Sequence, residues 1–250
     1  MLSRFIGSII PPVCDICGRL ADADDRLEGY KSIYQKVYKA TSSLHVCGKC
    51  LSLLCPNETD KRWFLCLSEP YETDPVPGQR LYMPFPYEGS ASRMVPAFKF
   101  RDKKELARLA GMITGALMAE DGIVADIVIP VPLAKERLKE RGYNQAAEIA
   151  CPLASMLDIV YANDALIRSR ATTRQSDLKS GTDRYDNVHR AFSVSDNWDI
   201  EGLRVILVDD VCTTGFTLHE AAIALYEAGA DKVLCVAFAG NRLVKNAEPY

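Results

Sequence analysis

The chain has 250 residues, 48% of them hydrophobic and 25% charged, with a formal net charge of −3. This is globular composition and excludes collagen-like, mucin-like and wholly disordered chains, while the length supplies one or two domains with a sizeable core. No apolar run reaches the ~18 residues that a membrane span needs, and with a net acidic chain any basic surface must be local.

Met1 to Val13 carries a short apolar patch (Phe5, Ile6, Ile9, Ile10) but lacks the length and cleavage site of a signal peptide. The expectation is a cytoplasmic protein. Six of the nine cysteines follow between residues 14 and 66: Cys14, Cys17, Cys47, Cys50, Cys55 and Cys66. In a reducing compartment clustered thiols point to metal rather than disulfides. Cys14-x-x-Cys17 and Cys47-x-x-Cys50 each set two thiolates on one tight turn, where Gly18 and Gly48 ease the backbone. Two such turns complete a tetrahedral site with no open position, which predicts a structural zinc. Redox-active dithiols and buried free cysteines are the alternatives. The 29 residues between the turns exceed a zinc-ribbon spacing, and Ser32 to Ala40 is the candidate element between them. His45 reads as a partly exposed structural histidine beside the second turn, and Cys55 and Cys66 have no assignment.

Pro70, Pro75, Pro77, Pro84 and Pro86 then punctuate the chain. Proline fixes φ and biases its predecessor away from helix, so the organisation reads as a cysteine-rich domain over 1–70, an extended linker over 71–86 and an α/β domain over 87–250. Residues 93–108 hold Arg93, Lys99, Arg101, Lys103, Lys104 and Arg108, interleaved with Phe98 and Phe100. Cations with aromatics suit single-stranded DNA through phosphate contacts and stacking. The simpler reading is a strand with the phenylalanines on its core face and the cations on its wet face.

Lys104 to Met118 is amphipathic, with Leu106, Leu109, Ala110, Ile113 and Leu117 on one face. Ala125 to Val131 reads as a buried strand, Asn144 to Leu157 as a helix, Leu203 to Val208 as a second strand, about 217–228 as a helix closed by Gly229, and Lys232 to Ala239 as a third strand. Apolar strands alternating with helices predict a parallel sheet covered on both faces.

The strongest signal is Leu203 to Thr217, LRVILVDDVCTTGFT. A buried strand leads to Asp209 and Asp210 at its carboxyl end, where open parallel sheets bind ligands. Two acids there accept hydrogen bonds from a vicinal diol or help hold hydrated magnesium. The turn through Thr213, Thr214 and Gly215 into a helix offers free amides, hydroxyls and the helix dipole to a phosphate, with Thr217 in the first turn. A diol binder beside a phosphate cradle describes a ribose 5-phosphate site. Acids that merely cap the helix are the alternative. His189 and His219 read as surface or core histidines rather than general bases, and nothing flags a nucleophile.

This segment resembles the phosphoribosyl pyrophosphate (PRPP) motif of type I phosphoribosyltransferases. The resemblance implies that Asp209 and Asp210 hold the ribose hydroxyls and that Thr213, Thr214, Gly215 and Thr217 hold the 5-phosphate. Residues 129–145, IPVPLAKERLKERGYNQ, together with the cysteine-rich start, Tyr87-Glu88-Gly89, Lys99-Phe100-Arg101, Thr173-Arg174-Gln175 and 184–192, are similar to the ComF family of bacterial competence proteins. The loop after Val131 also leaves a buried strand, and in the resembled fold it meets pyrophosphate. Arg137, Arg141, Asn144 and Gln145 are then candidates to face the ligand, against the alternative of a solvated charged helix start. Arg168 to Gln175 resembles the loop that closes over the site, with Arg170, Thr173, Arg174 and Gln175 as candidate contacts; a solvated loop is the alternative. The resemblance implies a type I phosphoribosyltransferase-like α/β domain after a zinc-knuckle domain, with structural zinc and magnesium-PRPP as cofactors. It also implies partners among single-stranded DNA and other DNA-uptake proteins. Phosphoribosyl transfer, a non-catalytic module that senses PRPP or single-stranded DNA, and nucleobase salvage are the functional alternatives.

Overall fold

The apolar run before Asp209 becomes the middle of a nine-residue strand that continues through both acids, Arg204–Cys212. It lies parallel between Ile127–Pro130 and Lys232–Gly240. The computed structural model describes residues 13–20, 37, 44–65, 79–168 and 191–240. In chain order its elements are α1 (Gly48–Ser52), β1 (Trp63–Leu65), β2 (Arg80–Tyr82), β3 (Phe85–Pro86), α2 (Ala91–Phe100) and α3 (Lys104–Glu120). There follow β4 (Ile127–Pro130), α4 (Lys135–Arg141), α5 (Gln145–Leu157), β5 (Val160–Tyr161), β6 (Leu166–Arg168), β7 (Phe192–Val194), β8 (Arg204–Cys212), α6 (Phe216–Glu227) and β9 (Lys232–Gly240). Cys66, His189, Arg170 to Gln175 and, Val37 apart, Ser32 to Ala40 lie outside the described residues.

The strand order is β1-β2-β9-β8-β4-β5, with β3 also on β9. Every pairing in this sheet is parallel except β1 with β2. Strand side chains alternate between faces, and here both faces are buried. Val128, Ile206, Val208, Val236 and Phe238 meet α2, α3 and α5 on one face. Ile127, Ile129, Val205, Leu207 and Cys235 meet α6, β6 and β7 on the other. That is why these strands read as continuous apolar runs rather than alternating ones.

Two sequence expectations change. Residues 80–82 and 85–86, read as linker, are strands of the sheet, with β2 and β3 both parallel to β9. Residues 91–100 are a helix rather than a strand. Ala91, Met94, Val95 and Phe98 recur at helical spacing and are buried, whereas Phe100 is 73% exposed. The phenylalanines therefore share no core face.

The cysteine-rich part joins the same core. Cys14, Ile16, Cys50, Leu51, Leu54 and Trp63 form one apolar cluster with Met94, Val95 and Phe98. The junction is also polar. Buried Arg62 donates to both oxygens of Asp121, at 2.9 and 2.8 Å, and the Tyr82 hydroxyl donates to Asp121 at 2.7 Å.

Helices α3 and α5 approach most closely at Gly111, where a Cβ would lie 2.1 Å from the Ile149 carbonyl oxygen and 2.8 Å from Pro152 Cγ. Helix propensity favours alanine over glycine by about 1 kcal/mol, but a clash with backbone outweighs it. Gly111→Ala is expected to destabilise the fold by about 1–3 kcal/mol, read as a lower urea midpoint.

Candidate functional site

Strand β4 hydrogen-bonds β8 only as far as Pro130 opposite Val208, with the Val131 amide donating to the Val208 carbonyl at 2.8 Å. Strand β8 runs on through Asp209 and Asp210, paired on its other side with β9. The connection leaving β4 leads to α5 on one face, and that leaving β8 leads to α6 on the other. Adjacent parallel strands whose connections diverge leave a crevice at their carboxyl ends.

A cavity of about 210 Å³ occupies this crevice, lined by Asp209, Asp210, Thr213, Thr217, Arg137, Arg141, Asn144, Gln145, Lys99 and Arg168 among others. Eight of the ten residues that the sequence pointed to here thus meet at one place. Gly215 is the N-cap of α6 at φ 80°, a left-handed conformation suited to glycine. It and the exposed Thr214 lie outside the lining. As a glycine, the N-cap gives α6 no side-chain cap of its own, and the dipole at a helix N-terminus favours an anion.

The polar groups do not all face the cavity freely. Asn144 is the N-cap of α5: its Oδ1 accepts from the Ala146 amide at 3.1 Å, and its Nδ2 donates to the Val131 carbonyl at 2.9 Å. Buried Gln145 accepts from Arg141 Nη1 at 2.9 Å and donates to the Tyr143 carbonyl at 3.3 Å. These two residues brace the loop and aim Arg141. Asp209 Oδ1 accepts from the Asp210 amide at 2.8 Å. Burial, reinforced by the charge of Asp210, pushes the Asp209 carboxyl up to about 7. Asp210 pairs with Lys99, Nζ to Oδ1 2.9 Å.

Lys99 and Arg168 also line the cavity, although the sequence did not single them out as ligand contacts. Lys99 stood inside a quoted tripeptide and Arg168 at the edge of a quoted loop, but neither belongs to the segment around the acids. Burial and the facing guanidinium of Arg137 both push the Arg168 pKa down. Guanidiniums that repel across a cavity are relieved by an anion between them, and their planar forks match phosphate oxygens. An apolar hollow of about 280 Å³ at the opposite edge of the sheet has no such convergence. Its Asp121 is held by Arg62 and Tyr82, and its Arg204 by Asp126.

The two cysteine turns also meet. One ligand atom from each of Cys14, Cys17, Cys47 and Cys50 lies within 4.8 Å of the others, a group that can hold a metal ion. Cys17 and Cys47 Sγ are 3.8 Å apart. Burial opposes ionisation of Cys17, but the Arg19 amide and the neighbouring thiols outweigh it and hold the thiol at about 7. Burial pushes Cys47 and Cys50 up. His45 is exposed and outside the cluster, and Cys55 is exposed with its thiol donating to the Ser52 carbonyl. His219 is buried, with Nδ1 3.0 Å from Gln79 Oε1, as a core histidine should be.

Most cations of 93–108 are engaged. Lys103 pairs with Asp15, Arg108 with Glu105 and Glu148, and Lys104 lies over the Tyr143 ring. Arg93 and Arg101 instead line a second recess, of about 360 Å³, with Arg19, Ser92, Pro96, Ile16 and Cys17. No acid lines it.

The DNA utilization protein YhgH of Escherichia coli O157:H7 is 30% identical over 226 residues, 88% of this chain and 87% of its own. The chain belongs to the ComF family of competence proteins. Competence protein F of Haemophilus influenzae, a further relative, is 37% identical over 149 residues, 57% of this chain and 64% of its own. Within the family chain, residues 142–249 match the phosphoribosyl transferase domain. Among solved structures, a glutamine PRPP amidotransferase from B. subtilis aligns over 53% of this chain and 26% of that one, with 26% identity and a TM-score of 0.37. No helix among the described residues is long and apolar enough to cross a membrane.

Asn144→Ala removes both the cap of α5 and the tie from that helix to the end of β4. Chemical denaturation is expected to show a loss of about 1–3 kcal/mol.

Proposed function

We propose that this protein binds magnesium-PRPP in the crevice between β4 and β8 and, in the cytoplasm, takes part in handling single-stranded DNA during uptake. The observation that carries the first half is the convergence of two adjacent acids, a hydroxyl-bearing helix N-terminus and several cations on one cavity. Asp209 and Asp210 serve the ribose hydroxyls and the hydrated magnesium ion. Thr213, Thr214, Gly215 and Thr217 serve the 5-phosphate, and Arg137 and Arg141 the pyrophosphate, with Asn144 and Gln145 bracing them. Magnesium, when bound, supplies charge neutralisation to pyrophosphate.

The second half rests on kinship with DNA utilization and competence proteins and on the arginine recess. Three guanidiniums gathered on one recess suit a phosphodiester backbone. Of the two phenylalanines, Phe98 is buried and takes no part in stacking, while Phe100 is exposed beside Arg141.

We also infer that Cys14, Cys17, Cys47 and Cys50 hold a structural zinc. Four sulfur donors gathered from two tight turns fit a tetrahedral ion and leave no position for substrate.

Calorimetric titration of PRPP with magnesium is expected to show binding to the wild type and its loss in Asp209→Asn/Asp210→Asn. Binding retained in that double variant would overturn the site. Pyrophosphate release in the presence of nucleobases, nucleosides or single-stranded DNA marks a transferase, and binding without release across all three marks a sensing module. Elemental analysis after reducing purification is expected to find about one zinc per chain, lost together with thermal stability in Cys47→Ser.

A further inference from the structure

The last turn of α2 places Lys99 on the lining of the crevice, and the residues on either side of it touch Tyr143 and Arg141. The Phe98 carbonyl accepts from the Tyr143 hydroxyl. Lys99 Nζ lies 2.9 Å from Asp210 Oδ1, with side chains only 20% and 11% exposed. The Phe100 ring lies 5.3 Å from the Arg141 guanidinium carbon. One helix turn therefore meets the acid on β8 and the arginine and tyrosine beside α4.

The same helix is fastened to the cysteine knuckle beyond both its ends. At the start, Ser90 Oγ donates to the Cys50 carbonyl at 2.6 Å and the Ser90 amide to the Leu53 carbonyl at 3.3 Å. Just past the end, Lys103 Nζ lies 2.8 Å from Asp15 Oδ1. Asp15 stands between Cys14 and Cys17 and accepts from the His45 amide through its other oxygen, at 2.9 Å. Between these ties Met94, Val95 and Phe98 share the apolar cluster of Ile16, Cys50, Leu51 and Leu54. Cys50 and Asp15 belong to the two cysteine turns and Leu53 ends the short helix that follows the second, so bringing the turns together fixes where the helix lies.

We propose that Lys99 is a ligand-binding residue of the crevice, held in register by the cysteine knuckle. Without ligand, Lys99 neutralises Asp210. When a sugar diol donates its hydroxyls to the paired acids, Asp210 gains new partners and the ammonium is released toward the phosphate oxygens beside it. A magnesium-PRPP complex remains an anion, so the exchange keeps every charge in the cavity matched. The knuckle sets the height of Lys99 through the Ser90 and Lys103 ties, and Arg141 shares that setting through Phe100. The ligand part of this inference rests on the PRPP reading; the coupling part does not.

Two measurements on the full-length, metal-loaded protein separate those parts. The first is the rate at which an amine-reactive reagent labels Lys99, read by peptide mass spectrometry without ligand. Asp15→Asn and Lys103→Met, which cut one tie at its two ends, are each expected to raise that rate severalfold, and Asp210→Asn to raise it further. Wild-type labelling rates in both tie variants would overturn the coupling, whatever the ligand. Lys103→Met alters a half-exposed side chain, so a folding defect in Asp15→Asn does not decide the result.

The second is calorimetric titration of PRPP with magnesium. Lys99→Met is expected to weaken binding about tenfold or more, the range of one charge-assisted hydrogen bond, with partial rescue by Lys99→Arg. Lys103→Met is expected to weaken binding severalfold in the wild-type background and to add nothing in the Lys99→Met background. Wild-type affinity in Lys99→Met would overturn the ligand role, and fully additive losses would overturn its control by the knuckle. If the wild type itself fails to bind PRPP, the PRPP reading and the ligand role fall together, while the labelling rates still decide the coupling.

Discussion

Strand β4 stops at Pro130 while β8 continues to Cys212, and the step between them governs the rest of the molecule. Beyond Pro130, β8 has a neighbour on one side only. Asp209 and Asp210 therefore leave the apolar interior without leaving the strand, and their backbone stays as fixed as the sheet. The diverging helices hold the step open: α5 draws the chain after β4 to one face, and α6 draws the chain after β8 to the other. A cavity made this way needs no flexible loop to exist. It needs only two neighbouring strands of unequal length and helices on both faces.

Around that step the charges are arranged in opposition. Two adjacent carboxylates repel, and burial raises Asp209 further. Across the cavity Arg137 and Arg168 also repel. Lys99 is the bridge between the two camps, salt-bridged to Asp210 while lining the cationic wall. Most neighbouring cations are tied elsewhere, to Asp15, Glu105, Glu148 or the Tyr143 ring. Net charge thus says little here, because a mildly acidic chain gathers cations at two recesses among the described residues.

The sheet was legible because β4, β8 and β9 bury both faces, which leaves an unbroken apolar signature. The acids and the turn after them were legible because one contiguous segment carries them, and the two cysteine pairs because each is a local turn. Residues 91–100 misled because a short window shows Phe98, Lys99 and Phe100 alternating, whereas the longer spacing from Ala91 through Met94 and Val95 to Phe98 is helical. Lys99 escaped because its partner Asp210 comes from a distant strand, and ion pairs between remote segments leave no periodic trace. Asn144 and Gln145 lie on the cavity lining, but their inward bonds to Val131, Tyr143, Ala146 and Arg141 belong to the tertiary structure. The boundary near residue 86 was blurred for a related reason. Prolines mark an interruption of local structure, yet β2 and β3 can still pair at one side of a sheet.

The apolar cluster that runs unbroken from Cys14 and Leu51 to Met94, Val95 and Phe98 bears on how such a chain diversifies. A cysteine knuckle on a tether could be lost, duplicated or traded between lineages without disturbing its neighbour. This one forms part of the floor on which α2 rests, and the Arg62–Asp121–Tyr82 cluster bolts the strand region after it to the end of α3. Exchange at the proline-rich stretch would strand half a core on each side of the junction. The two parts are therefore constrained to descend together, each substitution in one judged by its fit to the other.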